Sequence, residues 1–154
     1  ARVVSAQLAR VGWVPRDDDT HTDRLLRATV IGLLPRFAAT DADVLAEARR
    51  RFDAFLDGGD AAALPAGYRS AVYQLVLAAG GEREYERVLD TFRTATQDAD
   101  KKHALHSLGA ARTDELKRRT LDWAVSGAVK LQDFFYALNS VSSSGPRGAR
   151  LAFE

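Results

Sequence analysis

The two histidines His103 and His106 are the first candidates for chemistry, because they stand three residues apart in the stretch DADKKHALHSLG. On a helix, that spacing places two imidazoles side by side on one face, where they could hold a metal ion. A zinc site would also need a third ligand and a shell of orienting groups. Because Lys101 and Lys102 directly precede the pair, the stretch is more typical of a solvated helix start, and we predict no metal site here.

Two runs of charged residues also invite a functional interpretation. The acidic triplet Asp17–Asp19 would suit calcium, but such a triplet ahead of a helix is more often a solvated loop and cap. The run ARRRFD (Ala48 to Asp53) resembles a basic patch. Glu47 and Arg51, however, stand four residues apart and are able to pair on a helix surface. We therefore predict that both runs are solvated surface.

The sequence carries none of the common catalytic or nucleotide-binding signatures, since it has no H-E-x-x-H, no G-x-x-x-x-G-K and no G-x-S-x-G. It has no cysteine, which excludes disulfides, thiolate metal ligands and a cysteine nucleophile together. The 22 basic and 21 acidic residues give a net charge of +1, which argues against a nucleic-acid binder. No apolar run reaches the roughly 18–20 residues of a membrane span. We predict no catalytic residue, no metal ligand and no cofactor in this chain.

The polar residues Lys130, Gln132 and Asp133 are harder to assign, because they begin a segment that we predict as a helix and whose other residues are apolar. In a structural interpretation, Gln132 and Asp133 cap this helix or bridge it to a neighbour. In a functional interpretation, the three side chains contact a ligand. The sequence leaves both interpretations open.

Both tryptophans are predicted to have structural roles. Trp123 lies beside Leu121 and Ala124 on an apolar stripe, so we expect it in the core or packed between repeats. Trp13 precedes the acidic triplet, and we expect it to fill the join between the first helix and the next pair of helices.

Helical periodicity runs through nearly the whole chain, whereas the alternation typical of strands is almost absent. One such apolar stripe comprises Leu25, Leu26, Thr29, Val30, Leu33, Leu34 and Phe37. Thr40 and Thr113 precede acidic residues in the way that N-caps do. Pro35 predicts a kink, because proline removes a helical hydrogen bond. The pattern predicts an all-α fold.

The short linkers predict antiparallel helical hairpins over about 20–57, 66–96, 98–126 and 130 onward. Their spacing of roughly 35 residues is typical of helical repeats. We therefore predict a HEAT-like stack of hairpins with a concave face, forming a single domain over residues 1–154. The chain has no methionine and both of its ends fall in mid-pattern. We expect it to be a fragment of a larger enzyme, truncated at both ends.

Several segments, by their order and spacing, resemble a known family. These are RLLRATVIGLLPRF, LAEARRRFDAFL, LPAGYRSAVYQLVLAAGGEREYERVLDTFRTA, LHSLGAARTDELKRRTLDWAVSG and VKLQDFFYALNSVSSSGPRGARLAF. The chain resembles the C-terminal helical domain of zinc aminopeptidases, most closely the puromycin-sensitive aminopeptidase group, which is related to the endoplasmic reticulum aminopeptidases and aminopeptidase N. The most specific parts are Gln132-Asp133 and the segment GARLAF from Gly148 to Phe153.

This resemblance implies that the zinc chemistry belongs to a catalytic domain elsewhere in the same polypeptide. The helical domain would then act as a lid that encloses a cavity, admits peptide substrates and selects them. Lys130, Gln132 and Asp133 become candidates for peptide contact, and a cytoplasmic location is expected. No catalytic residue or zinc ligand of the family has a counterpart in this sequence.

Two other classes of function remain open from the sequence. A free-standing HEAT-like scaffold would bind protein partners on its concave face, although the interrupted ends and missing methionine speak against it. A helical-repeat protein that binds nucleic acid is disfavoured by the balanced charge.

Overall fold

The chain is all-α in the computed structural model, which describes residues 2–154. These residues form nine α-helices and one short 3-10 helix, and none of the described residues lies in a strand. The predicted fold class is therefore confirmed. The chain divides into two compact units, Ala1–Val72 and Tyr73–Glu154. The HEAT-like stacking and the single-domain organisation stay predictions.

The first unit contains α1 (Arg2–Val11), α2 (His21–Phe37), α3 (Ala42–Leu56) and the first part of α4 (Ala66–Ala79). Helix α1 packs against α2. A reciprocal pair of hydrogen bonds fixes the start of α2: the Thr20 hydroxyl accepts the Asp23 N–H at 3.2 Å, and the Asp23 carboxylate accepts the Thr20 N–H at 3.0 Å. Such a capping box satisfies two backbone donors that the helix itself leaves unpaired.

The buried face of α2 differs from the predicted stripe. Its buried residues are Arg27, Val30, Ile31 and Leu34. The predicted core residues Leu25, Leu33 and Phe37 are 55%, 39% and 42% exposed. The buried face follows the helical period from residue 27, but the arginine at its start conceals it in a pattern based on apolar residues.

The end of α2 and the start of α3 also refine the prediction. Helix α2 continues through Pro35 to Phe37, so the proline lies in its last turn, and the predicted kink stays a prediction. Asp41 rather than Thr40 caps α3, because its carboxylate accepts the N–H groups of Asp43 and Val44 at 3.1 and 3.2 Å. The cap thus lies one residue later than predicted, on a side chain that is equally suited to it.

Trp13 packs in the first unit as the sequence predicts. Its ring lies 5.3 Å from the guanidinium carbon of Arg51 in α3, so it connects the segment after α1 to the α2–α3 pair. Arg51 is only 4% exposed and donates to Glu47 at 2.8 Å and to the carbonyl of Ala63 at 2.9 Å. The predicted Glu47–Arg51 pair is confirmed, but the prediction that this whole run is solvated is wrong at Arg51.

The second unit contains the rest of α4 and six further elements. They are α5 (Glu82–Thr94), α6 (Asp98–Leu105), the 3-10 helix (Leu108–Ala110), α7 (Asp114–Val125), α8 (Phe134–Ser142) and α9 (Pro146–Leu151). Helix α5 packs against α6, and α8 packs against both α7 and α9. Thr113 caps α7 as predicted, since its hydroxyl accepts the Leu116 N–H at 3.3 Å.

A hydrophobic cluster lies between α6, α7 and α8. Its buried members are Leu105, Ala124, Val129 and Ala137, and the partly buried Phe92, Trp123, Phe134 and Tyr136 pack around them. Trp123 meets Phe92 edge to face, with ring centroids 4.8 Å apart. The predicted core role of Trp123 is therefore confirmed.

Two glycines allow neighbouring elements to lie directly against the backbone of α8. A Cβ atom at Gly109 would be 2.2 Å from the backbone nitrogen of Val141, and one at Gly148 would be 2.1 Å from the Val141 carbonyl oxygen. Any larger side chain at either position would collide with main-chain atoms. The 3-10 helix and α9 therefore approach α8 as closely as they do because these residues are glycines.

Candidate functional site

The predicted ligand-contacting residues lie in the turn that connects α7 to α8. Helix α8 begins at Phe134, so Lys130, Gln132 and Asp133 precede the helix rather than form its first turn. Asp133 stands at the N-cap position, but its side chain makes no capping hydrogen bond. The interpretation that Asp133 caps this helix is therefore wrong. The turn begins after Gly127, whose φ of 91° is the left-handed conformation expected of a residue that ends α7.

Lys130 ties this turn to the start of α6. Its ammonium lies 3.1 and 3.2 Å from the two carboxylate oxygens of Asp98. The hydrogen bond from Lys130, together with its positive charge, lowers the pKa of the Asp98 carboxyl. Both side chains are more than half exposed, at 57% and 63%, so solvent screens the pair and its contribution to stability is small. Lys130 is therefore held in place but remains accessible.

An open apolar groove of about 500 Å³ lies beside Lys130. It is lined by Ala124, Val125, Gly127, Val129, Lys130, Leu131 and Phe134. Ala124 and Val129 are buried and belong to the hydrophobic cluster, whereas Val125 and Leu131 are 73% and 86% exposed. The groove thus combines buried core residues with exposed aliphatic side chains, which we call its walls, and an accessible cation, Lys130.

Apolar surface continues on the other side of Phe134. A second groove, of about 220 Å³, shares Ala124, Val125 and Phe134 with the first and adds Leu121 and Leu138. Asp122 and Glu154 also line this second groove, so its charged lining residues are negative. The two grooves thus share part of their apolar lining, and the charged lining residues are Lys130 in the first and Asp122 and Glu154 in the second.

Of the three predicted contact residues, only Lys130 lines the groove. Gln132 is exposed and Asp133 is half-buried, and neither belongs to the groove lining. Peptide contact by all three stays a prediction. The groove walls Val125 and Leu131 were not among the predicted site residues, although apolar residues next to the polar turn are visible in the sequence.

The two predicted histidines lie at the end of α6, where His106 makes packing and hydrogen-bond contacts. His103 lies within α6, whereas His106 follows the last residue of that helix. The His106 ring packs against Tyr136 with centroids 4.6 Å apart, and its carbonyl accepts the side-chain amide of Gln74 at 3.2 Å. Partial desolvation, followed by the charge of Lys102, lowers the pKa of His106. Over residues 2–154, the structure brings together no group of three or more His, Cys, Asp or Glu side chains suited to a metal ion.

The acidic triplet contains a buried ion pair, so the prediction of a solvated loop is wrong at Asp19. Its carboxylate forms a bidentate pair with the guanidinium of Arg27, and the two side chains are 5% and 1% exposed. Arg27 Nε donates a further hydrogen bond to the carbonyl of Val11 at 2.9 Å. Arg27 thereby fastens the end of α1 and the connecting loop to α2. This role is structural, and a sequence pattern cannot reveal the eight-residue separation of the partners.

Acid should weaken the first unit through this pair. The hydrogen bond from Arg27, followed by that from the Arg16 N–H at 2.8 Å, lowers the pKa of Asp19 from 3.8 to about 2. The folded chain favours the ionised form of Asp19 more than the unfolded chain does. The contribution of Asp19 to stability is therefore complete above about pH 4 and is lost as the pH falls through about 2. We expect the difference in urea midpoint between wild type and Asp19→Asn to shrink steadily as the pH falls from about 4 to about 2.

The matched control for this experiment is Asp17→Asn, in the same triplet but at an exposed residue. This variant should keep the pH profile of the wild type, because its carboxylate is not buried against an arginine. Parallel pH profiles for wild type and Asp19→Asn would contradict the assignment of acid sensitivity to Asp19.

None of the helices formed by the described residues is both long and apolar enough to cross a membrane.

Comparison with known proteins relates the chain to one family. The family described as ERAP1-like C-terminal domain matches residues 1–154. Aminopeptidase M1 of Arabidopsis thaliana is 32% identical over 139 residues, which cover 88% of this chain and 16% of that protein. The mitochondrial aminopeptidase 2 of Saccharomyces cerevisiae is 29% identical over 140 residues, covering 91% of the chain and 14% of the relative. Glutamyl aminopeptidase of Bos taurus is 29% identical over 134 residues, which cover 86% of this chain and 13% of that protein. The chain thus spans about one sixth or less of the length of these relatives.

Proposed function

This chain belongs to the ERAP1-like C-terminal domain family, and we propose that it is the helical lid of a zinc aminopeptidase, enclosing the peptide-binding cavity and selecting substrates. The observation that carries this proposal is the family match over the whole chain, together with relatives that are named as aminopeptidases and are about six times longer. The sequence resemblance described above points to the same assignment. The partners would be the catalytic domain of the same polypeptide and peptide substrates.

The apolar groove supports a role in holding peptides. Exposed aliphatic walls at Val125 and Leu131 bind side chains of many sequences by burial, without the directional demands of hydrogen bonds. Lys130 in the groove lining offers a single charge that can interact with an acidic group or a peptide carboxylate. The near-neutral chain would favour neither acidic nor basic peptides through its overall field.

The chemistry of hydrolysis would lie outside this chain. The residues described here do not fit a zinc site, because the structure gathers no suitable set of ligands among them. We therefore propose that zinc is bound by the catalytic domain of the parent protein, and no step of the reaction is assigned to residues of this chain. What the lid would contribute is confinement of the substrate and exclusion of water on closure.

The arrangement of helices in the second unit is compatible with stacked hairpins. Helix α5 packs on α6, and α7 packs on α8. We propose that this succession is part of a HEAT-like stack, which would provide a stiff wall for the cavity. We also propose a cytoplasmic location, as the sequence resemblance implies.

Peptide binding by the chain tests the proposed function. Fluorescein-labelled peptides of increasing length and mixed apolar sequence should bind with saturable anisotropy, and the affinity should rise with length until the groove is filled. The double variant Val125→Asp/Leu131→Asp should bind about tenfold or more weakly, because it places charge on both apolar walls. Val3→Asp is the matched control, since Val3 is 74% exposed but lies on α1, in the other unit.

Two results would contradict the proposal. One is equal peptide affinity in the groove variant and the Val3→Asp control. The other is chelator-sensitive hydrolysis of an aminoacyl chromogenic substrate by the chain alone. The reading frame upstream of Ala1 offers an independent test: H-E-x-x-H with a downstream glutamate and G-x-M-E-N would support the lid. An initiator methionine directly before Ala1 would instead support a free-standing scaffold.

A further inference from the structure

A second cavity in the Tyr73–Glu154 unit has the opposite chemical character to the groove. It occupies about 300 Å³ where the 3-10 helix, the start of α7 and the start of α9 meet. Its charged and hydroxyl-bearing lining consists of Arg112, Asp114, Lys117, Ser144 and Arg147. Three cations and one carboxylate give this small cavity a formal charge of +2, although the whole chain carries only +1. The lining of this cavity is therefore predominantly positive.

Lys117 makes this a built cavity rather than a patch of surface cations. Its side chain is only 7% exposed, and the ammonium donates to the Gly109 carbonyl at 2.6 Å and to the Ser144 hydroxyl at 2.9 Å. Both acceptors are neutral, so these bonds orient the ammonium without neutralising it. Ser144 in turn donates its own proton to the Val141 carbonyl at 2.7 Å. The position of the ammonium is fixed from both sides by hydrogen bonds.

The carboxylate in the cavity is already engaged. Asp114 accepts a hydrogen bond from Arg147 at 2.6 Å. Burial, together with the positive charge of Arg147, lowers the pKa of Lys117, and the effect of Asp114 only partly opposes this. A buried ammonium whose hydrogen-bond acceptors are neutral is costly, and an anion beside it would remove that cost. Arg112 and Arg147 are exposed and can turn a guanidinium toward such a ligand, with two parallel N–H donors each.

We propose that this cavity is an oxyanion site, in which Lys117 together with Arg112 and Arg147 binds a carboxylate or phosphate group of a small ligand. Lys117 supplies the buried charge, and the arginines close over the ligand from the solvent side. The volume of the cavity exceeds that of a bare anion, so it accommodates the first part of the molecule that bears it. This site shares no lining residue with the apolar groove, and the proposal stands independently of the proposed lid function.

The test uses inorganic phosphate and acetate as separate probes, titrated at constant ionic strength by exchange against sodium chloride. Amide resonances of residues 109–117 and 144–149 should shift with saturation, at dissociation constants in the millimolar range or below. Stronger binding of phosphate would identify phosphate as the preferred class, and equal or stronger binding of acetate would identify carboxylate. Either pattern supports the site. A linear shift without saturation for both anions would overturn it.

Two variants decide whether these residues form the site. Arg112→Gln should weaken binding about threefold to tenfold, because it removes one donor pair. Asp114→Asn should strengthen binding by at least about threefold, because it removes the competing carboxylate and releases Arg147. A gain in affinity is not expected from a change that merely loosens the fold, so this variant distinguishes a binding role from a structural one.

Arg118→Gln is the matched control, because Arg118 is 57% exposed on the same helix, pairs with Glu154 and does not line the cavity. Its affinity for the anion should equal that of the wild type. Unchanged affinity in both Arg112→Gln and Asp114→Asn would overturn the proposal. The test does not depend on Lys117 variants, since that side chain also holds the 3-10 helix to α7.

Discussion

Gly148→Ala is expected to destabilise the chain by about 1–3 kcal/mol, although alanine is the better helix former. Gly148 lies inside α9, where a Cβ atom would be 2.1 Å from the Val141 carbonyl oxygen and 2.2 Å from the Ser144 hydroxyl. The hydroxyl can rotate away, but the carbonyl belongs to the backbone of α8 and cannot. Helix α9 would have to move off α8. Urea denaturation followed by far-UV circular dichroism measures the effect.

The control for this prediction is the same substitution at Gly32. That glycine lies in the middle of α2, is exposed, and would place a Cβ atom with nothing within 4 Å. Gly32→Ala should therefore stabilise the chain by up to about 1 kcal/mol, as helix propensity alone dictates. The opposite signs of the two substitutions are the essential result. Stabilisation by Gly148→Ala would show that α9 does not pack on α8 as closely as the structure has it.

The close packing around Val141 also gives a physical reason for one part of the sequence resemblance. The segment GARLAF begins at Gly148, and its next apolar residue, Leu151, is buried. A glycine followed three residues later by a buried leucine lets α9 approach the α8 backbone and then anchor there. Gly109 likewise allows the 3-10 helix to approach the α8 backbone, and its carbonyl accepts the buried Lys117 ammonium. The contacts that shape the proposed anion cavity are thus the contacts that hold α8.

The helices themselves were largely predictable from the sequence. Apolar residues at helical spacing, with Thr113 placed before acidic residues, located α7 within a residue or two, and Gly127 marked its end. These are local signals, because caps and periodicity depend on residues within one or two turns of each other. Where two residues could serve equally well as a cap, as at Thr40 and Asp41, the local pattern did not choose between them.

The errors of prediction arise where burial involves charged side chains. Arg27 begins the buried face of α2 and Lys117 lies on the buried face of α7, yet both resemble solvent-exposed positions in sequence. Each is buried because its charge finds hydrogen-bond acceptors on another element: Asp19 for Arg27, and Gly109 and Ser144 for Lys117. Such partners are recognised only once the chain is folded, so a pattern of polar and apolar residues assigns the wrong face.

At the candidate site, too, the sequence predicted the local features but not those that form only when distant segments meet. The sequence singled out Lys130, which does line the groove, because an isolated polar turn among apolar residues is a local feature. It did not indicate that Val125 and Leu131 form the walls, since each is an ordinary apolar residue until the turn places both at the surface. It gave no sign of the anion cavity, whose cations come from α7, α9 and the loop between the 3-10 helix and α7.

Replacing Arg27 with methionine is expected to lower the Tm of the first unit by about 10 °C. Methionine fills much of the same space, so the loss comes mainly from two changes. The 5%-exposed Asp19 carboxylate loses its ion pair, although it still accepts the Arg16 N–H, and the Val11 carbonyl loses its donor. Removing one member of a buried pair is far more costly than removing an exposed charge. Arg36→Met is the control on the same helix, because Arg36 is exposed and its guanidinium lies over the neighbouring Phe37 ring. Its Tm should stay within about 2 °C of the wild type.

The double variant Arg27→Met/Asp19→Leu separates loss of packing from an unpaired charge. If the unpaired carboxylate is the main cost, replacing it with leucine should restore more than half of the lost Tm, because both members of the pair are then apolar. The Val11 carbonyl still lacks its donor and the Arg16 N–H loses its acceptor, so recovery should remain incomplete. Hydrogen exchange of the amides in α1 and α2 would confirm that the change is confined to the elements that Arg27 joins. A double variant as unstable as Arg27→Met alone would mean that Arg27 stabilises the unit through its bond to Val11 and its packing, and that its pairing with Asp19 contributes little.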